Sequence, residues 1–382
     1  MSHRTLPGRR VSAVLASITL AVTSLVTAPS VSAAEVAQVA TDVVEPAADP
    51  VSVSADALPT VQVDGIVWKQ VIVGDTVYVG GEFANARPAG AAPGTNLVPR
   101  TNLLAYDLAT GVLDTSFDHT LNGNVTDLAA SPDGTRLYVV GNFTTVDGAT
   151  RSRIAAFNLP SGTLNTSFAP VMNGNTKSVA ATNTTVYAGG YFSAVNGHTR
   201  YRAAAINAAN GVLLPGFVPV VDDRQVQSIV VAPDEQSVAI SGTFTSVNSD
   251  PANSYGIAWL DAATGATRTL PVNSRVRNAG DRASIMRLAT DGEAWYGVGW
   301  HYGSGGTTEG TFKVGWDDGA LIWIEDCHGD TYDVAPVGDV VYTASHKHYC
   351  GNSGGFPETE PRSYYHSTAW INEVRGTNTA DI

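Results

Sequence analysis

The stretch Gly134-Thr135-Arg136-Leu137-Tyr138-Val139-Val140-Gly141-Asn142-Phe143 decides the fold, because variants of it recur along the chain. It reads Asp75-Thr76-Val77-Tyr78-Val79-Gly80-Gly81-Glu82-Phe83 upstream and Thr184-Thr185-Val186-Tyr187-Ala188-Gly189-Gly190-Tyr191-Phe192 downstream. The closing residues Phe83, Phe143, Phe192 and Phe244 lie 60, 49 and 52 residues apart, and degenerate copies end near His301 and His346. Short strands repeating every 40–50 residues or so are the signature of a β-propeller.

Each copy parses into four strands. In the second copy these are Val125 to Ala129, Leu137 to Gly141, Arg153 to Asn158 and Thr163 to Phe168. Ser131-Pro132-Asp133-Gly134 turns the chain between the first two, Pro fixing φ and Gly allowing positive φ. First strands begin near Trp68, Val125, Thr176, Val226, Ile285 and Tyr332, which gives an all-β propeller of four-stranded blades in about six copies. The last copy is incomplete, and seven blades fit a longer parent chain. Residues 51–63, including Val61-Gln62-Val63, are the segment available to supply the missing outer strand and cover an open edge. Recurrent Phe residues, including Phe117, Phe168 and Phe217, read as wedges between blades.

The 382 residues divide into three segments. Residues 1–34 hold Arg4, Arg9 and Arg10, an apolar run from Val11 to Ala28 and small residues at Val31-Ser32-Ala33-Ala34, the pattern of a secretory signal peptide. Residues 35–60 carry no aromatic side chain and read as a linker, and 61–382 are the propeller. Removing the signal leaves 19 basic against 35 acidic residues, net −16. That balance argues against nucleic acid and anionic membranes, and no second long apolar run predicts membrane insertion. The expected state is a secreted or cell-surface monomer. In an exported protein the two cysteines, Cys327 and Cys350, are expected to form one disulfide.

The Gly-Gly-x-Phe strand ends, the turns Asp107-Leu108-Ala109-Thr110-Gly111 and Asp261-Ala262-Ala263-Thr264-Gly265, and the strand Leu113-Asp114-Thr115-Ser116-Phe117 resemble the delta-60 repeat propellers of secreted bacterial proteins. The likeness covers residues 61–320 or so. It implies a propeller fold and brings no catalytic residue with it.

Propeller topology opens the inter-blade connections and the loops between second and third strands on one face. The connections read Asn122-Gly123-Asn124, Asn173-Gly174-Asn175, Asp222-Asp223-Arg224, Asp281-Arg282 and His328-Gly329-Asp330, a polar ring that ordinary turn chemistry also explains. The last two copies depart from the repeat. Trp300-His301-Tyr302 and His346-Lys347-His348-Tyr349 replace the Phe-ended strands, and four of the eight histidines fall between residues 301 and 348.

Trp300, His301, Tyr302, His346, His348 and Tyr349, with Tyr364 and Tyr365, form the candidate ligand-binding set, offering flat apolar faces with polar edges. The expected partner is an extracellular polysaccharide or a surface protein, bound at the channel mouth. The alternative is a glycan hydrolase or lyase using His328, Asp330, His346 and His348, since imidazole titrates near neutral pH. Binding is favoured over catalysis because no recognised catalytic constellation accompanies these residues. His328, His346 and His348 with a nearby carboxylate are the weak metal candidates, without an established ligand spacing. No cofactor is expected, although Asp222-Asp223 or Asp317-Asp318 suits a single calcium ion. Ligand identity is not legible in the sequence.

Overall fold

The computed structural model describes residues 58–364 and 366–371, so residues 1–57, on which the expected signal peptide and most of the expected linker fall, Tyr365 and residues 372–382 lie outside the described residues. Six antiparallel sheets follow one another along the chain, each beginning with an inner strand that hairpins into the second: Ile66–Val73, Val125–Ala130, Asn175–Ala181, Val226–Val231, Ala283–Thr290 and Thr331–Val337. The described residues contain no α-helix, only three short 3-10 turns. The chain is an all-β propeller.

Apolar clusters fill the space between consecutive sheets. Tyr78, Leu103 and Phe117 of the first meet Val125, Leu137 and Phe157 of the second; Tyr296 and Trp323 of the fifth meet Val334 and Val341 of the sixth. Phe83, Phe143, Phe192, Phe244, Phe117, Phe168 and Phe217 are all buried, as wedges require. The Asp-x-Ala-Thr-Gly turns close as the sequence predicts. Asp107 Oδ1 accepts bonds from the Thr110 N–H and hydroxyl at 2.8 and 2.7 Å, and Gly111 takes a φ of 67°.

Two expectations are corrected. The outer strands are short: Thr163–Leu164 in the second sheet, and single bridges at Leu113, Leu213 and Thr267 in the first, third and fourth. The fifth sheet keeps a full outer strand, Leu321–Glu325. In the second sheet an Asx turn ends the strand early, because Asn165 Oδ1 accepts the N–H groups of Ser167 and Phe168, diverting donors from the ladder. Second, Val61-Gln62-Val63 does not complete the sixth sheet. Gln62–Val63 pairs with Asn85–Arg87, and Val61 and Val63 cover Val77, Val79, Phe83 and Ala86 on the first sheet's outer face. Asp64 fixes that course by accepting the N–H groups of Ala84 and Asn85, both at 2.9 Å.

Repeated arginine clamps, which strand periodicity does not reveal, tie the loops together. Arg151 and Arg200 are buried, each donating to the preceding carbonyl at 2.7 Å and to a carbonyl in the fourth-strand region. Arg153 and Arg202 reach the carbonyls of Met172 and Val221 in the next connection, both at 2.7 Å.

Candidate functional site

Every inner strand carries a bulge. The register slips between Val67 and Lys69, Val125 and Asp127, Thr176 and Ser178, Val226 and Ser228, Ile285 and Arg287, and Thr331 and Asp333. The extra residue in each case is Trp68, Thr126, Lys177, Gln227, Met286 or Tyr332. The facing glycine of the second strand makes room for the kink. A Cβ on Gly81, Gly141, Gly190 or Gly242 would lie within about 2.2 Å of the carbonyl oxygen at the bulge's start, which explains the recurrent Gly.

The bulges re-aim these side chains toward a common opening. Trp68, Thr126, Lys177, Gln227 and Met286 line one cavity of about 190 Å³, together with Asn124, Gln225 and Arg287. Arg287, on the fifth inner strand, reaches the carbonyls of Trp68 and Thr126 on the first and second, at 3.5 and 3.4 Å. Residues more than 200 positions apart thus meet at the channel mouth. Connections and second-to-third loops share this end, as expected: Asn122 Oδ1 accepts the N–H groups of Thr144 and Thr145, and Asn173 Oδ1 those of Ser193 and Ala194. The polar ring therefore performs turn chemistry at these positions.

The sixth sheet builds a second feature. Beyond the strand Val340–Ser345, bridges join Lys347 to His366 and Tyr349 to His328. Strand alternation sends His346 and His348 to one side and Lys347 inward. His346 stacks on Tyr332 at 5.4 Å and on Tyr364 at 5.9 Å; His348 meets Tyr364 at 5.4 Å and His328 at 6.2 Å; His328 meets Tyr349 at 5.2 Å. Six rings therefore run outward from Tyr332, the sixth bulge residue. His346 Nε2 lies 3.0 Å from Asp330 Oδ2 without the alignment of a hydrogen bond.

The other predicted residues are placed differently. Trp300 donates its indole N–H to Met286 Sδ at 3.2 Å, which leans it on the channel mouth instead of the histidines. His301 Nδ1 sits 3.0 Å from the Gly303 carbonyl oxygen, and Tyr302 stands 74% exposed on the fifth sheet's loop. Cys327 and Cys350 are disulfide-bonded with Cα atoms 4.5 Å apart, both fully buried. Among the described residues, the three-residue group with ligand atoms within 4.8 Å of one another is Glu325, Cys327 and Cys350. Its two sulfurs bond each other and offer no thiolate. Of the calcium candidates, Asp223 accepts the Thr245 N–H and lies 3.4 Å from Arg224, and Asp318 accepts the Ala320 N–H.

Burial governs the titrating groups near the rings. It pushes the His348 imidazole down, with help from the Arg362 cation and opposition from Glu358. It pushes the Asp326 carboxyl up to about 6, against the Glu309 N–H bond and His328, which favour the charged form. A group whose folded pKa is raised contributes stability that is complete below the unfolded value of 3.8 and is lost as pH rises through about 6. Asp326→Asn, which keeps the acceptor for Glu309, is therefore expected to raise the unfolding free energy at pH 7.5 by about 3 kcal/mol. Urea midpoints at pH 7.5 and pH 4 check this: the gain disappears at the lower pH.

Sequence reading missed Trp68, Lys177 and Arg287 as site residues. The signal available was the Gly facing each of the first five bulges. No family model matches the chain, and no curated protein matches it in sequence. Among solved structures it is similar to the WD40 β-propeller domain of Doa1, at 14% identity over 75% of this chain and 79% of that one, with a TM-score of 0.45.

Proposed function

We propose that the protein is a secreted or cell-surface propeller that binds an extracellular polysaccharide on its channel-mouth face. The observation that carries this reading is the run of six rings from Tyr332 through His346, Tyr364, His348 and His328 to Tyr349. Tyr332 and Tyr364 are 43% and 40% exposed, so each offers a face for stacking and a hydroxyl edge for hydrogen bonding, the combination a sugar ring needs. The disulfide and the stack of Phe356 on His366 at 4.1 Å hold the loop behind them, so little ordering accompanies binding.

The test is a broad glycan and cell-wall array. Wild type is expected to retain a glycan, and Tyr332→Ala/Tyr364→Ala to lose about tenfold or more in affinity, two stacking contacts of about 1 kcal/mol each. Equal retention by the double variant refutes the reading, and capture of a cell-surface protein in place of any glycan assigns the face to the other partner class.

The His346–Asp330 contact favours a second reading, glycan cleavage with His346 as general base or acid. Replacing His328, His346 and His348 together would then abolish turnover of a bound glycan. Wild-type protein that binds the glycan and releases no shorter product over prolonged incubation refutes catalysis.

A further inference from the structure

The cavity at the channel mouth is chemically distinct from the ring run, and its lining selects by charge. We propose that it binds a carboxylate-bearing sugar, the uronate unit of an acidic polysaccharide; this deepens the glycan reading above and rests on it.

Two cations enter the cavity, Lys177 and Arg287, and no carboxylate lines it, in a chain whose net charge is −13. Arg287 is fixed in place and partly compensated: its guanidinium bonds two backbone carbonyls and pairs with Asp127 Oδ1 at 3.8 Å, while Asp127 Oδ2 accepts the Val179 N–H at 3.0 Å. Lys177 is half-buried and, among the described residues, has no ion-pair partner and no side-chain hydrogen bond. Its ammonium is left for a ligand.

The neutral groups agree with the cations. The Gln227 side-chain oxygen is occupied by the Ser284 hydroxyl, which leaves its amide nitrogen as the group available to a ligand, and Gln225 and Asn124 add further amides to the lining. A donor-rich wall with two cations suits a carboxylate, which only accepts hydrogen bonds. Trp68 stands 44% exposed on the same wall and gives the apolar surface on which a pyranose ring stacks. A cavity of about 190 Å³ has the size of one monosaccharide unit and not of a chain, so the rest of the polymer lies over the rim.

The test uses the full chain in calorimetric titrations with homogeneous oligouronates, their methyl esters, sulfated oligosaccharides and neutral oligosaccharides of equal length. Free uronates are expected to bind best, and Lys177→Ala to lose about tenfold for them, the weight of one charge-assisted hydrogen bond. Neutral ligands are expected to be unaffected by that substitution, and Lys177→Arg to retain binding. Unchanged uronate affinity in Lys177→Ala, methyl esters equal to free acids, or a Lys177-dependent preference for sulfate each overturns the assignment. Binding of neutral sugars without acid preference overturns this inference alone, whereas absence of binding to every sugar overturns the glycan reading with it.

Discussion

Replacing Lys347 with Met is expected to lower the unfolding free energy by about 3–5 kcal/mol, the cost of leaving a buried charge without its partner. Lys347 is fully buried, and its Nζ donates to Glu325 Oε2 and to Thr368 Oγ1, both at 2.8 Å. Burial drives its pKa down and the Glu325 carboxylate opposes that. Glu325 is itself 1% exposed, and its other oxygen accepts the Cys327 N–H at 2.7 Å. Without the ammonium, the carboxylate keeps one backbone donor and must take up a proton or draw in water. Lys347→Met/Glu325→Gln removes both charges while keeping an acceptor for Cys327, and most of the loss is expected to return. Urea unfolding of the three proteins at pH 7 measures this. A single-variant loss below about 1 kcal/mol contradicts the buried pair as described.

Removing the disulfide is the second large effect. The bridge spans 23 residues, for which chain-entropy arguments give a contribution of about 3 kcal/mol. Cys327→Ser/Cys350→Ser is expected to lose that amount in urea unfolding. It also frees the loop after Cys350, which holds Glu358 at 3.4 Å from His348 and Phe356 against His366. Hydrogen exchange is expected to accelerate over residues 346–362 and remain unchanged in the second and third sheets. Uniform acceleration throughout the chain contradicts a local role for the bridge.

The repeat unit exposed most of the fold. Second strands begin where the copies of Gly134 to Phe143 place them, and Phe83 through Phe244 are wedged between sheets because an apolar ring at a fixed repeat position has one place to go. The cysteine pairing was legible because a chain read as exported and holding two cysteines offers each a single partner. The mouth was not. A bulge inserts one residue and reverses the alternation of every side chain beyond it, so period-two reading cannot aim Trp68 or Lys177. Likewise His-Lys-His reads as one polar cluster in sequence, yet alternation buries the middle residue against Glu325 and leaves the outer two on the ring run. Trp300 was grouped with the histidines by proximity in the repeat, whereas its indole follows the bulge residue Met286. The course of Gln62–Val63 depended on Asp64, a single side chain capturing two backbone donors, which strand counting does not register.

Paramagnetic relaxation tests most directly whether the bulges gather these residues at one opening. A nitroxide attached at Gln227→Cys is expected to broaden the indole N–H signals of Trp68 and Trp300 and to spare Trp316, which lines the turns beside Pro233 and Asp234. A Trp68 signal left sharp while Trp316 broadens would contradict a shared mouth and, with it, the recognition surface built there.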